Sequence, residues 1–70
     1  MTVYVGSICK VVLDRGFAFI RLRGSNDVFC HASELRDLLF DEKLVELEVE
    51  FDMDSDHRGL RAKNVRAVKD

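Results

Sequence analysis

Apolar and polar residues alternate along most of this chain, and the alternation falls into five blocks. Val3 to Leu13 is rich in β-branched residues, with Gly6 expected as a bend or bulge inside it. Asp14-Arg15-Gly16 turns the chain into a second block, Phe17 to Leu22, and Gly24-Ser25-Asn26 turns it again into a third, Asp27 to His31. Leu44 to Phe51 is the fourth. Its Val45, Leu47, Val49 and Phe51 lie on one side and its Glu46, Glu48 and Glu50 on the other, the pattern of a half-buried strand. Leu60 to Val68, entered through Arg58-Gly59, is the last. Between the third and fourth blocks, Ala32 to Lys43 predicts a short helical turn. Ser33 caps it, and Leu35, Leu38 and Leu39 point inward with Phe40 to plug the bottom of the fold. Five short strands in 70 residues predict an all-β fold, a small antiparallel barrel. Closure removes the open edges that a flat sheet of this size would expose.

The second and third blocks carry the most chemistry. Successive side chains of a strand point to opposite faces. Phe17 and Phe19 therefore share a face, with Ala18 and Ile20 on the other. Phe29 and His31 likewise oppose Val28 and Cys30. A hairpin gathers the rings on one surface. The apolar residues behind them already supply a core, so the rings are expected outside it. Flat rings on a sheet suit the stacking of unpaired bases. Tyr4 and Phe51 read as packing residues.

Charge sharpens this picture. The net charge is −2, which speaks against a general polyanion binder but not against one with sorted charge. Residues 41–56 are dense in carboxylates, with Lys43 alone against them. The cations stand elsewhere: Lys10, Arg15, Arg21 and Arg23 near the rings, and Arg58, Arg61, Lys63 and Arg66 towards the end. The expectation is an acidic side and a basic, aromatic side.

Other classes find no support. No serine or cysteine pairs with a histidine at a credible site, and no glycine-rich phosphate loop occurs, so no enzyme and no cofactor is expected. His31 and His57 stand apart, and no metal is expected. Asp52-Met53-Asp54-Ser55-Asp56 starts like a calcium loop. Its glycine is displaced to Gly59, however, and Lys63 stands where a glutamate is needed, so a solvated acidic turn is the reading. The two cysteines have no framework or zinc spacing. Cys30 reads as a small buried hydrophobe and Cys9 as partly exposed, both reduced in a cytoplasmic protein. No run approaches the roughly 20 apolar residues of a membrane span. Length allows one domain, residues 1–70.

These residues resemble the cold-shock domain. Its first nucleic-acid motif, Lys-Gly-Phe-Gly-Phe-Ile, is similar to Arg15-Gly16-Phe17-Ala18-Phe19-Ile20. Its second, Asp-Val-Phe-Val-His-Phe, is similar to Asp27-Val28-Phe29-Cys30-His31-Ala32. The family's opening Gly-Thr-Val-Lys-Trp-Phe-Asn falls without a gap on Gly6 to Val12, and its late Gly-Pro-x-Ala-x-Asn-Val resembles Gly59 to Val65. The resemblance implies an OB-type five-stranded barrel that binds single-stranded RNA or DNA, as an RNA chaperone or transcript regulator. Bases would stack on Phe17, Phe19, Phe29 and His31, while Lys10, Arg15, Arg58, Arg61 and Lys63 follow the backbone.

The sequence also departs from the family. Lys10 replaces the tryptophan, Val11 the phenylalanine after it, and Ala32 the phenylalanine after the histidine. The segment from His31 to Val45 is shorter than usual and lacks the glycine before the fourth strand. Stacking is worth about 1–3 kcal/mol per base. Two lost platforms therefore cost roughly 2–6 kcal/mol, on the order of 30-fold to 10⁴-fold in affinity. Phe40 is the candidate replacement ring, and Lys10 the candidate compensating phosphate contact. The same departures motivate the alternative: a protein-interaction or self-association barrel, docking a protein partner or a weak homodimer through the aromatic patch.

Overall fold

Strands form where β-branched and aromatic residues alternate. The structure, a computed structural model, describes residues 3–22, 24, 27–56 and 59–68. Its strands are β1 (Val3–Val12), β2 (Phe17–Arg21), β3 (Val28–His31), β4 (Glu48–Asp56) and β5 (Gly59–Ala67), with 3₁₀ turns at Ala32–Glu34 and Glu42–Leu44. They close into a barrel in the order β1-β2-β3-β5-β4. Every pairing is antiparallel except the closing seam, β3 with β5, which is parallel. The sequence pattern predicts an antiparallel barrel, but an odd ring of strands cannot alternate direction all the way round. One seam must run parallel.

The inward residues form one core: Ile8, Ala18, Ile20, Val28, Cys30, Leu44, Val49, Phe51, Ala62 and Val65. Tyr4, 37% exposed, covers Phe51 with ring centroids 6.2 Å apart. The bulge of β1 lies between Ile8 and Lys10, not at Gly6. Gly6 is required for a different reason. A Cβ there would lie 2.7 Å from the Arg21 carbonyl oxygen and 2.8 Å from Ile20 Cγ2.

The fourth strand begins later and runs further than the alternation predicts. Glu46 has φ 75, which breaks an extended run before β4 starts at Glu48. Its N–H donates to the Ile8 carbonyl at 2.6 Å, and the Ile8 N–H donates to Leu47 at 3.0 Å, so this segment is tied to the β1 bulge. Val45, expected inside, is 42% exposed. Asp52 to Asp56, expected as a turn, is the second half of β4 and pairs with β5.

The connection after β3 also differs. His31, not Ser33, caps the first 3₁₀ turn. Leu35, Leu38 and Phe40 pack half-buried on the core, while Leu39 is 82% exposed. Among the described residues no helix is long and apolar enough to cross a membrane.

Candidate nucleic-acid interface

β2 and β3 pair so that Phe19 stands opposite Phe29 and Phe17 opposite His31. Residues paired across strands project from the same face. The four rings therefore share the outer surface, while Ala18, Ile20, Val28 and Cys30 beneath them are buried. The three phenylalanines are half-buried and His31 is exposed. The Phe17 and Phe29 centroids are 5.3 Å apart at 39°, and Phe17 and Phe19 are 5.5 Å apart at 80°. Phe19 and Phe29 are 6.2 Å apart at 76°. These separations lie in the range that aromatic pairs favour. The rings thus support one another as a single apolar surface.

Cations border it on two sides. Lys10 is exposed and stands opposite Phe19, next to the bulge. Arg15 is exposed in the turn before Phe17, where Gly16 adopts φ 75 and its carbonyl accepts from the Ala32 N–H at 2.9 Å. Among the described residues no carboxylate pairs with Lys10 or Arg15. On the other side, the parallel seam sets Arg61 opposite Phe29, with its guanidinium carbon 5.7 Å from the ring centroid. That is cation–π range. Lys63 lies two residues further along the same outer face of β5, with its Nζ 3.0 Å from Asp54 Oδ2. Arg66 pairs with Glu50 at 3.1 Å. Arg58, Arg23, Ser25, Asn26 and His57 lie outside the described residues.

Acidic and basic residues are therefore not sorted to opposite sides as expected. β4 and β5 are neighbours, and their outer faces set Asp54 opposite Arg61 and Asp52 opposite Lys63. Asp54 is the consequential residue that reading along the chain misses. Its carboxyl is held below the usual aspartate range by the hydrogen bond from Lys63, then by the Ser55 N–H and the Lys63 charge. The signal was present. Residues equidistant from the 57–58 connection face each other across a hairpin.

His31 has a second role. Its Nδ1 accepts from the Ser33 N–H at 3.1 Å and lies 2.8 Å from Ser33 Oγ. His31 Nδ1 is thus engaged in the cap. Phe40 packs against the core rather than standing free in solvent. Cys9 and Cys30 are both free thiols. Cys9 Sγ donates to the Phe19 carbonyl at 3.5 Å, and burial pushes the Cys30 thiol up to about 11.

The sequence model of the "Cold-shock" DNA-binding domain matches residues 4–68. Cold shock-like protein CspE of Bacillus anthracis is 40% identical over 52 residues, 74% of this chain and 78% of that protein. Major cold shock protein CspA of Bacillus cereus is 38% identical over 52 residues, with the same 74% and 78% shares. Among solved structures, drosophila Unr CSD456 matches with a TM-score of 0.76 and 22% identity, over 97% of this chain and 27% of that one. The last likeness is one of fold, and the chain spans about a quarter of the Unr chain. The family match takes in both aromatic motifs and reaches from β1 through β5, and the chain belongs to the cold-shock domain family.

Proposed function

We propose that residues 1–70 act as one cytoplasmic domain that binds single-stranded RNA or DNA, in the manner of an RNA chaperone or transcript regulator. Unpaired bases stack on Phe17, Phe19, Phe29 and His31. Lys10, Arg15, Arg61 and Lys63 follow the phosphates, and Arg58 is assigned the same role. The family is one of nucleic-acid-binding domains and not of enzymes, which is the class this reading extends to the chain. The observation that carries the reading is the three-ring cluster on the outer face, bordered by Lys10 on one side and Arg61 on the other. Stacking tolerates any base, because every base has a π-face. Selectivity for sequence is accordingly weak.

Fluorescence anisotropy with short labelled oligothymidine and oligouridine tests this. Binding is expected, and it weakens as salt rises because phosphate contacts release counterions. Phe17→Ala and Phe29→Ala each reduce affinity about 5- to 150-fold while the barrel stays folded. No binding up to about 100 μM, the weak end of non-specific affinity, rejects the reading. So does unfolding of either variant, since those rings are then core.

The second reading, a protein-docking or self-associating barrel, is favoured by the ion pairs that Asp54 and Glu50 make with Lys63 and Arg66, which reduce the pull on phosphates. A dimer in sedimentation that dissociates on Phe17→Ala supports it.

A further inference from the structure

The inference rests on the nucleic-acid reading and concerns what its β5 cations do in the free protein. Arg61 and Lys63 project from alternate positions of β5, and β4 runs beside them. Asp54 stands opposite Arg61 in register and reaches diagonally to Lys63, 3.0 Å away. Its second oxygen, Oδ1, accepts from the Ser55 N–H at 2.9 Å, which orients the carboxylate. The depressed titration of Asp54 draws on both cations, Lys63 before Arg61. Asp52, the next outward residue of β4, accepts from Asn64 Nδ2 at 3.3 Å and so leaves Lys63 to Asp54.

A carboxylate and a phosphodiester offer a cation the same thing: one negative charge shared by two oxygens. Arg61 already lies over the Phe29 ring. A strand that lays a base on Phe29 brings its backbone to this edge of the barrel. We propose that Asp54 is a built-in competitor for that backbone, an internal stand-in for phosphate that must release Lys63 before Lys63 can contact the ligand. Each such contact then exchanges one ion pair for another. It adds little affinity and releases fewer counterions than a solvated lysine would.

Removing the charge of Asp54 frees Lys63 for phosphate. Asp54→Asn and Asp54→Ser should each tighten binding about two- to fivefold, the range of an exposed ion pair. The slope of log affinity against log salt should steepen by up to about 0.7, the value of one further phosphate contact on a single strand. Glu48→Gln is the control. Glu48 is exposed on β4, opposite Ser7, and its loss changes the net charge by the same amount.

The experiment is an anisotropy titration of labelled oligothymidine and oligouridine against the wild type, both Asp54 variants, Glu48→Gln, Lys63→Ala and the Asp54→Asn, Lys63→Ala double variant, at several salt concentrations. Circular dichroism melts establish that each is folded. Tighter binding and a steeper slope in both Asp54 variants, exceeding any gain in Glu48→Gln and shrinking when Lys63 is alanine, is the expected result. Equal behaviour of the Asp54 and Glu48 variants overturns the proposal, as does a gain undiminished by Lys63→Ala. These outcomes leave the stacking reading intact if the wild type binds. Absence of binding in every protein, the wild type included, removes the stacking reading and this inference together.

Discussion

Gly6→Ala isolates one demand of the barrel. Gly6 sits in β1 opposite Val49 of β4, with Ile20 and Arg21 of β2 close against it. Its φ is not positive, so alanine is conformationally acceptable and, without a clash, would gain about 0.5–1 kcal/mol from the lower entropy of the unfolded chain. The added Cβ, however, meets the Arg21 carbonyl oxygen at 2.7 Å and Ile20 Cγ2 at 2.8 Å. The first is backbone and the second belongs to a fully buried side chain, so neither can swing aside. Relief requires β1 and β2 to separate by roughly half an ångström or more at the Ser7–Arg21 and Ile8–Ile20 pairs. Overpacking of this kind costs about 1–3 kcal/mol, and a weakened ladder hydrogen bond adds about 0.5–1.5. After the entropic gain, the net loss is about 0.5–4 kcal/mol. For a domain of this size each kcal/mol moves the melting temperature by about 4–8 °C. The expected drop is therefore about 2–30 °C in a thermal melt followed by circular dichroism, with a matching fall in the urea midpoint. A melting temperature unchanged or raised would mean that β1 and β2 do not approach as described, and the reasoning would fail.

Three further outcomes are expected. The Cys30 thiol is raised from 9.0 to about 11, first by burial and then by Glu34, so its folded-state value lies above that of the unfolded chain. Its contribution of about 2–3 kcal/mol is fully present below pH 9 and is lost as pH rises through 11; urea melts across that window should fall more steeply for the wild type than for Cys30→Ala. His31→Ala removes the acceptor of the Ser33 N–H and should cost about 0.5–2 kcal/mol, whereas His31→Asn keeps a capping oxygen and stays within about 0.5 kcal/mol of the wild type while losing oligonucleotide affinity. Equal loss of stability in both variants, read by urea titration, would separate His31 from the cap. Leu39→Ser, at a position 82% exposed, should leave the melting temperature within about 2 °C, while Phe40→Ala, packed on the core, should lower it by about 5–15 °C.

What could be seen in the sequence was what depends on near neighbours. The period of two in Phe17 to Ile20 and Val28 to His31 settles which residues face the barrel interior, because a strand's alternation is local and the two strands are joined by a short connection. The same reasoning misplaced β4. Leu44 to Leu47 alternate like a strand, yet Glu46 turns left-handed because its N–H is taken by Ile8, a bond between residues far apart in sequence. Ser33 read as a cap for its residue type, but the acceptor that reaches its own N–H is the histidine of the preceding strand. Leu39 fits a helical stripe only if a helix forms, and two short 3₁₀ turns stand in its place. The parallel seam is a further departure from the antiparallel barrel that the pattern predicts. Five strands in a ring leave one pair running the same way.

The charge pattern shows the same division. Reading along the chain separates the acids in 41–56 from the cations that begin at Arg58; the pairing of β4 with β5 sets Asp54 and Asp52 face to face with Arg61 and Lys63. On the proposed reading this shifts the source of affinity. Lys63 and Arg66 of β5 enter binding already paired, whereas among the described residues Lys10 and Arg15 have no carboxylate partner. Each such unpaired cation that meets a phosphate adds about 0.7 to the log–log salt slope on a single strand, and a cation that must leave a carboxylate adds less. The pairing of Lys63 shifts weight from that cation towards the rings. If, as the resemblance implies, Lys10 stands in place of the family's tryptophan and Ala32 in place of its last motif phenylalanine, the loss of those rings weighs more here than it would in a barrel whose β5 lysine stood unpaired.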